Sequence, residues 1–191
     1  MNLRFVTPAD APALRDIYAP YVQNTPLTFE VAVPSREEFL RRVTATLQTY
    51  PYLAAEEDGE ILGYAYAGRV RSREAYDWSA ELSVYVRQDC RRKGLGRRLY
   101  GCLLELLTLQ NVHIAYGLVA LPNDASHGLH TAMGFRFLGR FSEMGYKMGA
   151  WRDIGWYEKI LVPAQVPPLP FIPAPQLPEE QVRALLERFG R

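Results

Sequence analysis

Arg91, Arg92, Lys93, Arg97 and Arg98 crowd around Gly94 and Gly96, between the apolar run Val84-Tyr85-Val86 and a helical stripe of leucines that begins at Leu99. A strand that enters a basic glycine turn and leaves as a helix can hold a pyrophosphate. The glycines remove side chains where a ligand must approach backbone N–H groups. A helix starting near Gly96 then adds its positive dipole end. Two common phosphate loops do not fit. A P-loop needs Gly-Lys-Ser/Thr, whereas Lys93 precedes Gly94 and no Ser or Thr follows. A dinucleotide fingerprint needs a small residue three places after Gly96, and that place holds Leu99. The same spacing also occurs in plain strand-to-helix turns, so the rest of the chain must decide.

What remains, Arg91-x-x-Gly94-x-Gly96 after an apolar strand, resembles the coenzyme A loop of the GCN5-related N-acetyltransferases (GNAT). Several dispersed segments resemble one branch of that superfamily, the phosphinothricin/methionine sulfoximine N-acetyltransferases. These are Thr28-Phe29-Glu30, Ala75-Tyr76-Asp77-Trp78, Glu81-x-Ser83-Val84-Tyr85-Val86, Leu121-Pro122-Asn123-Asp124, Leu129-His130-x-x-Met133-Gly134-Phe135, and Gly145-Tyr146-Lys147 running on to Trp151-x-Asp153-Ile154-Gly155. The likeness spans roughly residues 2–162. It implies an α/β class (α+β mixed sheet), the GNAT fold: a central, mostly antiparallel mixed sheet splayed between its fourth and fifth strands, with helices on both faces. The cosubstrate it implies is acetyl-CoA, and the oligomer a homodimer.

Acetyl transfer from a thioester to an amine needs a bound thioester, a deprotonated amine in attack geometry and donors for the developing oxyanion. The resemblance offers residues for each. Val84, Tyr85 and Val86 would pair through their backbone with the pantetheine arm as an added strand. Arg91, Arg92, Lys93, Gly94, Leu95, Gly96 and Arg97 would bind the pyrophosphate, and Asn123 would meet the pantetheine side or the thiol end. Glu81 is the candidate base, because an amino-acid ammonium must lose a proton near neutral pH; its other reading is a solvated strand charge. His130 is the second catalytic candidate, with a satisfied helix histidine as its alternative. No residue presents itself as the general acid. Arg71, Ser72 and Arg73 would hold an acceptor carboxylate or sulfone-like oxygen. Leu82 and Ser83, on the strand of Glu81, and Phe29 and Glu30, in an early loop, complete the acceptor site, with Tyr76 and Trp78 as aromatic walls or core. The stretch 69–74 and the tail depart from the herbicide-detoxifying members, which leaves the acceptor open.

Composition sets outer limits. With 191 residues, 48% of them apolar, the chain can bury one good core. A net charge of +1 makes the basic turn a local feature, and neither nucleic acid nor membrane is an expected partner; the partner the resemblance implies is a small-molecule amine. No apolar run approaches a membrane span and Met1-Asn2-Leu3-Arg4 opens no signal peptide, so the cytoplasm is the expected location. Cys90 and Cys102 have no metal spacing and are expected to be reduced thiols. His127-x-x-His130 could offer two ligands to a metal, but no further ligand completes a site, and none is expected.

The elements that must position these residues follow from periodicity. Leu3 to Val6 reads as a strand and Thr7-Pro8-x-Asp10 as the start of a helix to about Tyr21. Pro34-Ser35-x-x-Glu38 has capping-box form, with Phe39, Leu40, Val43 and Leu47 as a buried stripe. Strands 52–56 and 61–66 flank the hairpin signal Asp58-Gly59. A strand over 80–86, the helix carrying Leu99, Leu103, Leu106 and Leu107, a strand over 114–121, a helix over 125–133 and paired strands over 135–140 and 145–161 complete a domain over residues 1–162. Seven of the fourteen prolines lie in 163–178, a linker or strap. Residues 179–191 form a short amphipathic helix that must bury Val182, Leu185, Leu186 and Phe189 on the body, on a partner subunit or as a binding motif. The combined expectation is an enzyme moving acetyl from acetyl-CoA to the α-amine of a small amino-acid analogue such as methionine sulfoximine, methionine sulfone or phosphinothricin, by direct transfer in a ternary complex. The alternatives are the same chemistry on another small amine, or a non-catalytic acyl-CoA-binding regulatory module.

Overall fold

Two left-handed residues, Asp58 (φ 52°) and Gly59 (φ 81°), turn strand β2 (Tyr52–Glu57) back on β3 (Glu60–Arg69), as a two-residue hairpin requires. Around this hairpin a computed structural model describes residues 1–90 and 94–191. The remaining elements are β1 (Asn2–Phe5), α1 (Ala11–Asn24), α2 (Arg36–Leu47), β4 (Ser79–Val86), α3 (Leu95–Leu109), β5 (Ile114–Leu121), α4 (Asp124–Ala132), β6 (Arg136–Lys147), β7 (Ala150–Ile160) and α5 (Glu179–Gly190). Among the described residues the strands form one seven-stranded sheet, ordered β1-β2-β3-β4-β5-β7-β6.

All neighbouring strands run antiparallel except β4 and β5, which are parallel. Their pairing is short: Ser79 faces Ile114, Ala80 faces Ala115 and Glu81 faces Tyr116, and there it stops. Beyond that point β4 still pairs with β3 as far as Val86, and β5 with β7 as far as Leu121. The sheet is therefore split between its fourth and fifth strands, as the resemblance implies.

The two faces bury different chemistry. Against one face lies α3, whose Leu99, Leu103, Leu106 and Leu107 are fully buried with Leu82, Val119 and Phe135. Each such side chain contributes roughly 1.5–3 kcal/mol. Against the other face lie α1 and α2, which bring Leu14, Ile17, Tyr18, Val22, Phe39 and Val43 onto Tyr52, Ala54 and Tyr64.

Several sequence expectations shift locally. The first helix opens with a 3-10 turn over Pro8–Asp10 and continues through Pro20 to Asn24. Ser35 caps α2 by accepting the N–H of Glu38 at 3.1 Å, while the Glu38 carboxylate turns outward to Arg41 and Arg42. Leu40 is not in the buried stripe but 42% exposed, because α2 lays only Phe39 and Val43 on the sheet. Residues 145–147 belong to β6 rather than β7: the hairpin turns at Met148 (φ 52°) and Gly149 (φ 74°). Between Phe141 and Gly145 β6 bulges, with Glu143 at φ 53° and its N–H donated to Asp153 Oδ1 at 2.8 Å.

The C-terminal helix docks on the body. Phe189 fills the space above Gly101, where an added Cβ would stand 2.6 Å from the ring, and Arg188 pairs with Glu105 at 3.0 Å. Gly190 lies against the backbone of β1.

Candidate active site

Strand alternation decides what Glu81 sees. Ala80 and Leu82 are buried toward α3, so Glu81, Ser83 and Tyr85 face the α1/α2 side. Glu81 stands opposite Gly68 of β3 and Tyr116 of β5, in the last pair before the sheet opens. Burial pushes its carboxyl above the usual carboxylate range, against the opposing charge of Arg71.

The backbone at the opening follows from the same alternation. Arg87 donates its N–H to Leu62 O at 2.8 Å, which sets the hydrogen-bonded pairs of β3 and β4: the Leu82 amide closes the last pair with β5, the Val84 amide faces the gap, and the Val86 N–H donates to the Tyr21 hydroxyl at 3.3 Å. Tyr21 closes the far end of that edge, its hydroxyl donating to Val86 O at 2.6 Å. Between Glu81 and that point no strand opposes β4 among the described residues. This is a geometry to which an extended, amide-bearing ligand can add as a strand.

Arg91, Arg92 and Lys93 lie outside the described residues. The turn resumes at Gly94, whose φ of 78° favours glycine, and α3 starts at the next residue. A Cβ on Gly96 would make only ordinary contact with Leu129 and Val84, so this glycine brings the helix start close to β4 without being forced. Leu95 is buried as the first core residue of α3, whereas Arg97 is exposed. An open strand edge, a left-handed glycine and the N-terminus of a 15-residue helix in sequence fit a pantetheine arm and its pyrophosphate.

Asn123 caps α4, its Oδ1 accepting the N–H of Ser126 at 3.1 Å. It lines a cavity of about 330 Å³ at the end of β5, together with His127, Arg140, Asp153 and Tyr157. His127 Nδ1 lies 2.9 Å from the Tyr157 hydroxyl.

His130 is 2% exposed and sits on the α3 side of the sheet, stacked on Tyr157 with ring centroids 4.9 Å apart. Its Nδ1 is 2.8 Å from Ser126 O, which can only accept, so Nδ1 carries the proton. Its Nε2 therefore accepts from the Tyr100 hydroxyl at 3.1 Å. Burial lowers the imidazole pKa and keeps the ring neutral. Gly117 makes this possible: a Cβ there would stand 2.1 Å from Nε2. The Tyr100 hydroxyl also lies 3.4 Å from Leu82 O, and both burial and the Glu81 charge raise its pKa. Sequence reasoning missed Tyr100, which reads as one more apolar residue of α3; the only signal was a polar-tipped aromatic among leucines. Among the described residues no group of three or more His, Cys, Asp or Glu side chains could hold a metal.

The acceptor candidates divide. Phe29 and Glu30 join the Glu81 face through the α1–α2 loop. Phe29 packs on Gly145 of β6, Glu30 pairs with Arg42, and the buried Lys147 donates to Thr28 O at 2.7 Å. Ser83 stands directly across from Tyr66. A cavity of about 240 Å³ opens on this face between α2 and the sheet, walled by Tyr18, Tyr52, Tyr64, Tyr66 and Tyr85, with Glu30 and Arg42 beside it. This tyrosine wall was not foreseen, since its members come from four separate elements. Burial raises the phenol pKa of all five, Tyr18 to about 12. Arg71, Ser72 and Arg73 stay exposed on the loop joining β3 to β4, whose base is closed by an Arg69–Asp77 ion pair.

Comparison with known proteins agrees with this geometry. Residues 3–156 match the family described as the acetyltransferase (GNAT) domain. The chain is 36% identical over 178 residues to a phosphinothricin N-acetyltransferase of Streptomyces viridochromogenes, covering 93% of this chain and 96% of that one. It is 35% identical over 171 residues to an L-methionine sulfoximine/L-methionine sulfone acetyltransferase of Pseudomonas aeruginosa, covering 87% and 98%. A phosphinothricin acetyltransferase of Sinorhizobium meliloti, solved in complex with acetyl-CoA, superposes with a TM-score of 0.83 at 29% identity, covering 90% of this chain and 97% of that one.

Proposed function

Because the chain belongs to the GNAT acetyltransferase family and is an acetyl-CoA-dependent N-acetyltransferase, we propose that it acetylates the α-amine of a small amino-acid analogue by direct transfer in a ternary complex. The acceptor class is that of methionine sulfoximine, methionine sulfone and phosphinothricin. The observation that carries the reading is the placement of Glu81: a half-buried carboxylate with a raised pKa, at the residue where β4 and β5 part and on the face of the tyrosine-walled cavity.

In this reading the acceptor lies on the α1/α2 face with its ammonium at Glu81. The carboxylate takes one proton, directly or through a water, and a base whose pKa is raised toward neutrality does so with a better driving force than an ordinary surface carboxylate. Bound along the gap, acetyl-CoA supplies the acyl group: the freed amine attacks the thioester carbonyl, the C–S bond breaks, and coenzyme A leaves as a thiolate that takes a proton from solvent. The amide of Val84 is the backbone donor in the gap, and Gly94, Leu95, Gly96 and Arg97, with Arg91, Arg92 and Lys93, hold the pyrophosphate end. Tyr85 belongs to the acceptor side and Val86 to the closed end of the edge. The acceptor's side chain extends toward the tyrosines and Glu30, and Arg71, Ser72 and Arg73 bind its carboxylate or oxygen-rich end. His130 acts through Tyr100, whose hydroxyl it holds at the opening, and Asn123 fixes the start of α4 beside it.

The test is thiol release from acetyl-CoA with methionine sulfoximine, methionine sulfone, phosphinothricin, polyamines and a lysine peptide, run beside Glu81→Gln. Turnover confined to the amino-acid analogues, and lost in the variant, supports the reading; turnover on peptides or polyamines alone overturns the acceptor class. We also infer a homodimer in which a second copy covers the β6–β7 hairpin, where Phe141 is 51% and Tyr146 60% exposed on the edge strand β6 and Trp151 60% exposed on β7 beside it. Sedimentation should give twice the chain mass, and a monomer at micromolar concentration would overturn the dimer.

A further inference from the structure

Residues 163–178 and α5 lie beyond the residues 3–156 that the family model matches, yet their contacts lead back to the loop next to Glu81. Proline has no N–H, so a strap this rich in proline offers mainly carbonyls, and the body answers with donors. The Trp78 indole N–H donates to Leu169 O at 2.7 Å, Asn111 Nδ2 to Pro170 O at 2.7 Å, and Gln110 Nε2 to Ile172 O at 2.8 Å. Gln110 is fully buried and also takes the N–H of Ile172 on its backbone carbonyl at 3.1 Å. The near end of the strap is fixed by His113, whose ring donates to Val162 O at 2.6 Å.

Trp78 is where these ties meet the acceptor loop. Its carbonyl accepts the N–H of His113 at 2.8 Å and of Ile114 at 3.2 Å, so its backbone is anchored to the start of β5. Its indole is held by the strap. On its N-terminal side runs the loop with the exposed Arg71, Ser72 and Arg73; on its C-terminal side, three residues on, stands Glu81. The loop's own ties are Arg69 to Asp77, Ser79 Oγ to Tyr76 O at 2.8 Å and a 3-10 turn in which Tyr76 N–H donates to Arg73 O at 3.0 Å and Asp77 N–H to Glu74 O at 2.9 Å; none of these bonds is made by Arg71 or Ser72.

We propose that the C-terminal strap braces the acceptor loop: by holding the Trp78 indole, the Leu169 carbonyl sets the position of residues 70–78 and so the affinity for the acceptor, with no part in coenzyme binding. Trp78 is then a positioning residue. The inference rests on the assignment of this loop to the acceptor.

The experiment is steady-state kinetics with the amine of highest turnover in the panel above. Trp78→Phe keeps the ring and loses the N–H; it should raise the acceptor KM about fivefold, the worth of one net hydrogen bond, and leave kcat and the acetyl-CoA KM unchanged. Asn111→Gly frees the neighbouring Pro170 carbonyl without touching residues 70–78, and glycine suits the φ of 65° at that position. It should raise the acceptor KM in the same direction by less. Arg71→Ala reports on the loop itself. An acceptor KM raised in Arg71→Ala but unchanged in the other two overturns the brace and keeps the loop assignment. No change in any of the three overturns the loop assignment and the brace with it. Parallel losses of kcat and melting temperature in Trp78→Phe and Asn111→Gly, with the acceptor KM unmoved, make the strap purely structural and also overturn the brace.

Discussion

The two faces of the sheet solve different problems with different side chains. Toward α3 the packing is aliphatic and closed, with Leu99, Leu103, Leu106 and Leu107 all at 0% exposure. Toward α1 and α2 it is built from tyrosines, with Tyr52 stacked on Tyr66 at 4.8 Å and Tyr18 edge-on to Tyr85 at 4.9 Å, and it leaves a cavity of about 240 Å³. Leucine fills space and specifies a rigid wall. Tyrosine brings as much apolar area but ends in a hydroxyl, so a tyrosine face can stay ordered while lining a polar opening. Glu81 lies on the second face and draws its raised pKa from that partly closed environment, while the first face holds α3 and the glycine turn in place.

The largest effect should come from removing the one carboxylate at the junction. Glu81→Gln should lower kcat/KM by about 10²–10⁴-fold without loss of melting temperature, and the wild-type rate should rise with pH through a value above the usual carboxylate range. The sign for stability is opposite. A carboxyl whose pKa is higher in the fold than in the unfolded chain makes its ionised form unfavourable there. Stability attached to Glu81 is therefore lost as pH rises from the ordinary carboxylate value through the raised one. Melting curves at pH 4 and pH 7 should show Glu81→Gln gaining on the wild type at the higher pH; a wild type that gains instead would contradict the assigned burial.

On the aliphatic face the break is steric. Gly117→Ala puts a Cβ 2.1 Å from His130 Nε2 and should cost about 1–3 kcal/mol by urea unfolding. Adding His130→Ala should recover part of that loss, since the two residues share one space. A Gly117→Ala protein as stable as wild type would show that the ring can move aside. The smallest effect belongs to the tyrosine face: Tyr66→Phe, across from Ser83, should leave stability within about 1 kcal/mol and raise the acceptor KM a few-fold. Unchanged acceptor kinetics would detach this wall from the acceptor.

Features written within a few residues of one another were legible in the sequence. Asp58-Gly59 announced its hairpin because left-handed residues are few in kind, and Ser35 announced α2 because a cap is a local bond. The succession of elements along the chain and the split between the fourth and fifth strands followed from periodicity and resemblance, whereas the placing of β7 between β5 and β6 did not. What stayed hidden depends on partners distant in the chain. Leu40 follows a helical period yet meets solvent, since the sheet receives only one narrow stripe of α2. Tyr100 acquires its role from Leu82 and His130, 18 residues before it and 30 after. The turn at Met148-Gly149 was masked by a bulge two residues wider than the alternation allows for. Glu81 and Ser83 could be named from the resemblance their strand carries, whereas the tyrosine wall needed the hairpin, α1 and β4 assembled.

One contact made far from the site bears on how the protein is built. Gly190 sits 3.2 Å, measured from a Cβ placed on it, from the backbone nitrogen of Leu3, so the last helix covers the outer side of the first strand. β1 leaves the ribosome well before α5 does. Throughout synthesis a short sheet edge therefore waits for its cover, and interrupted translation products carry that edge bare, available to pair with another nascent copy.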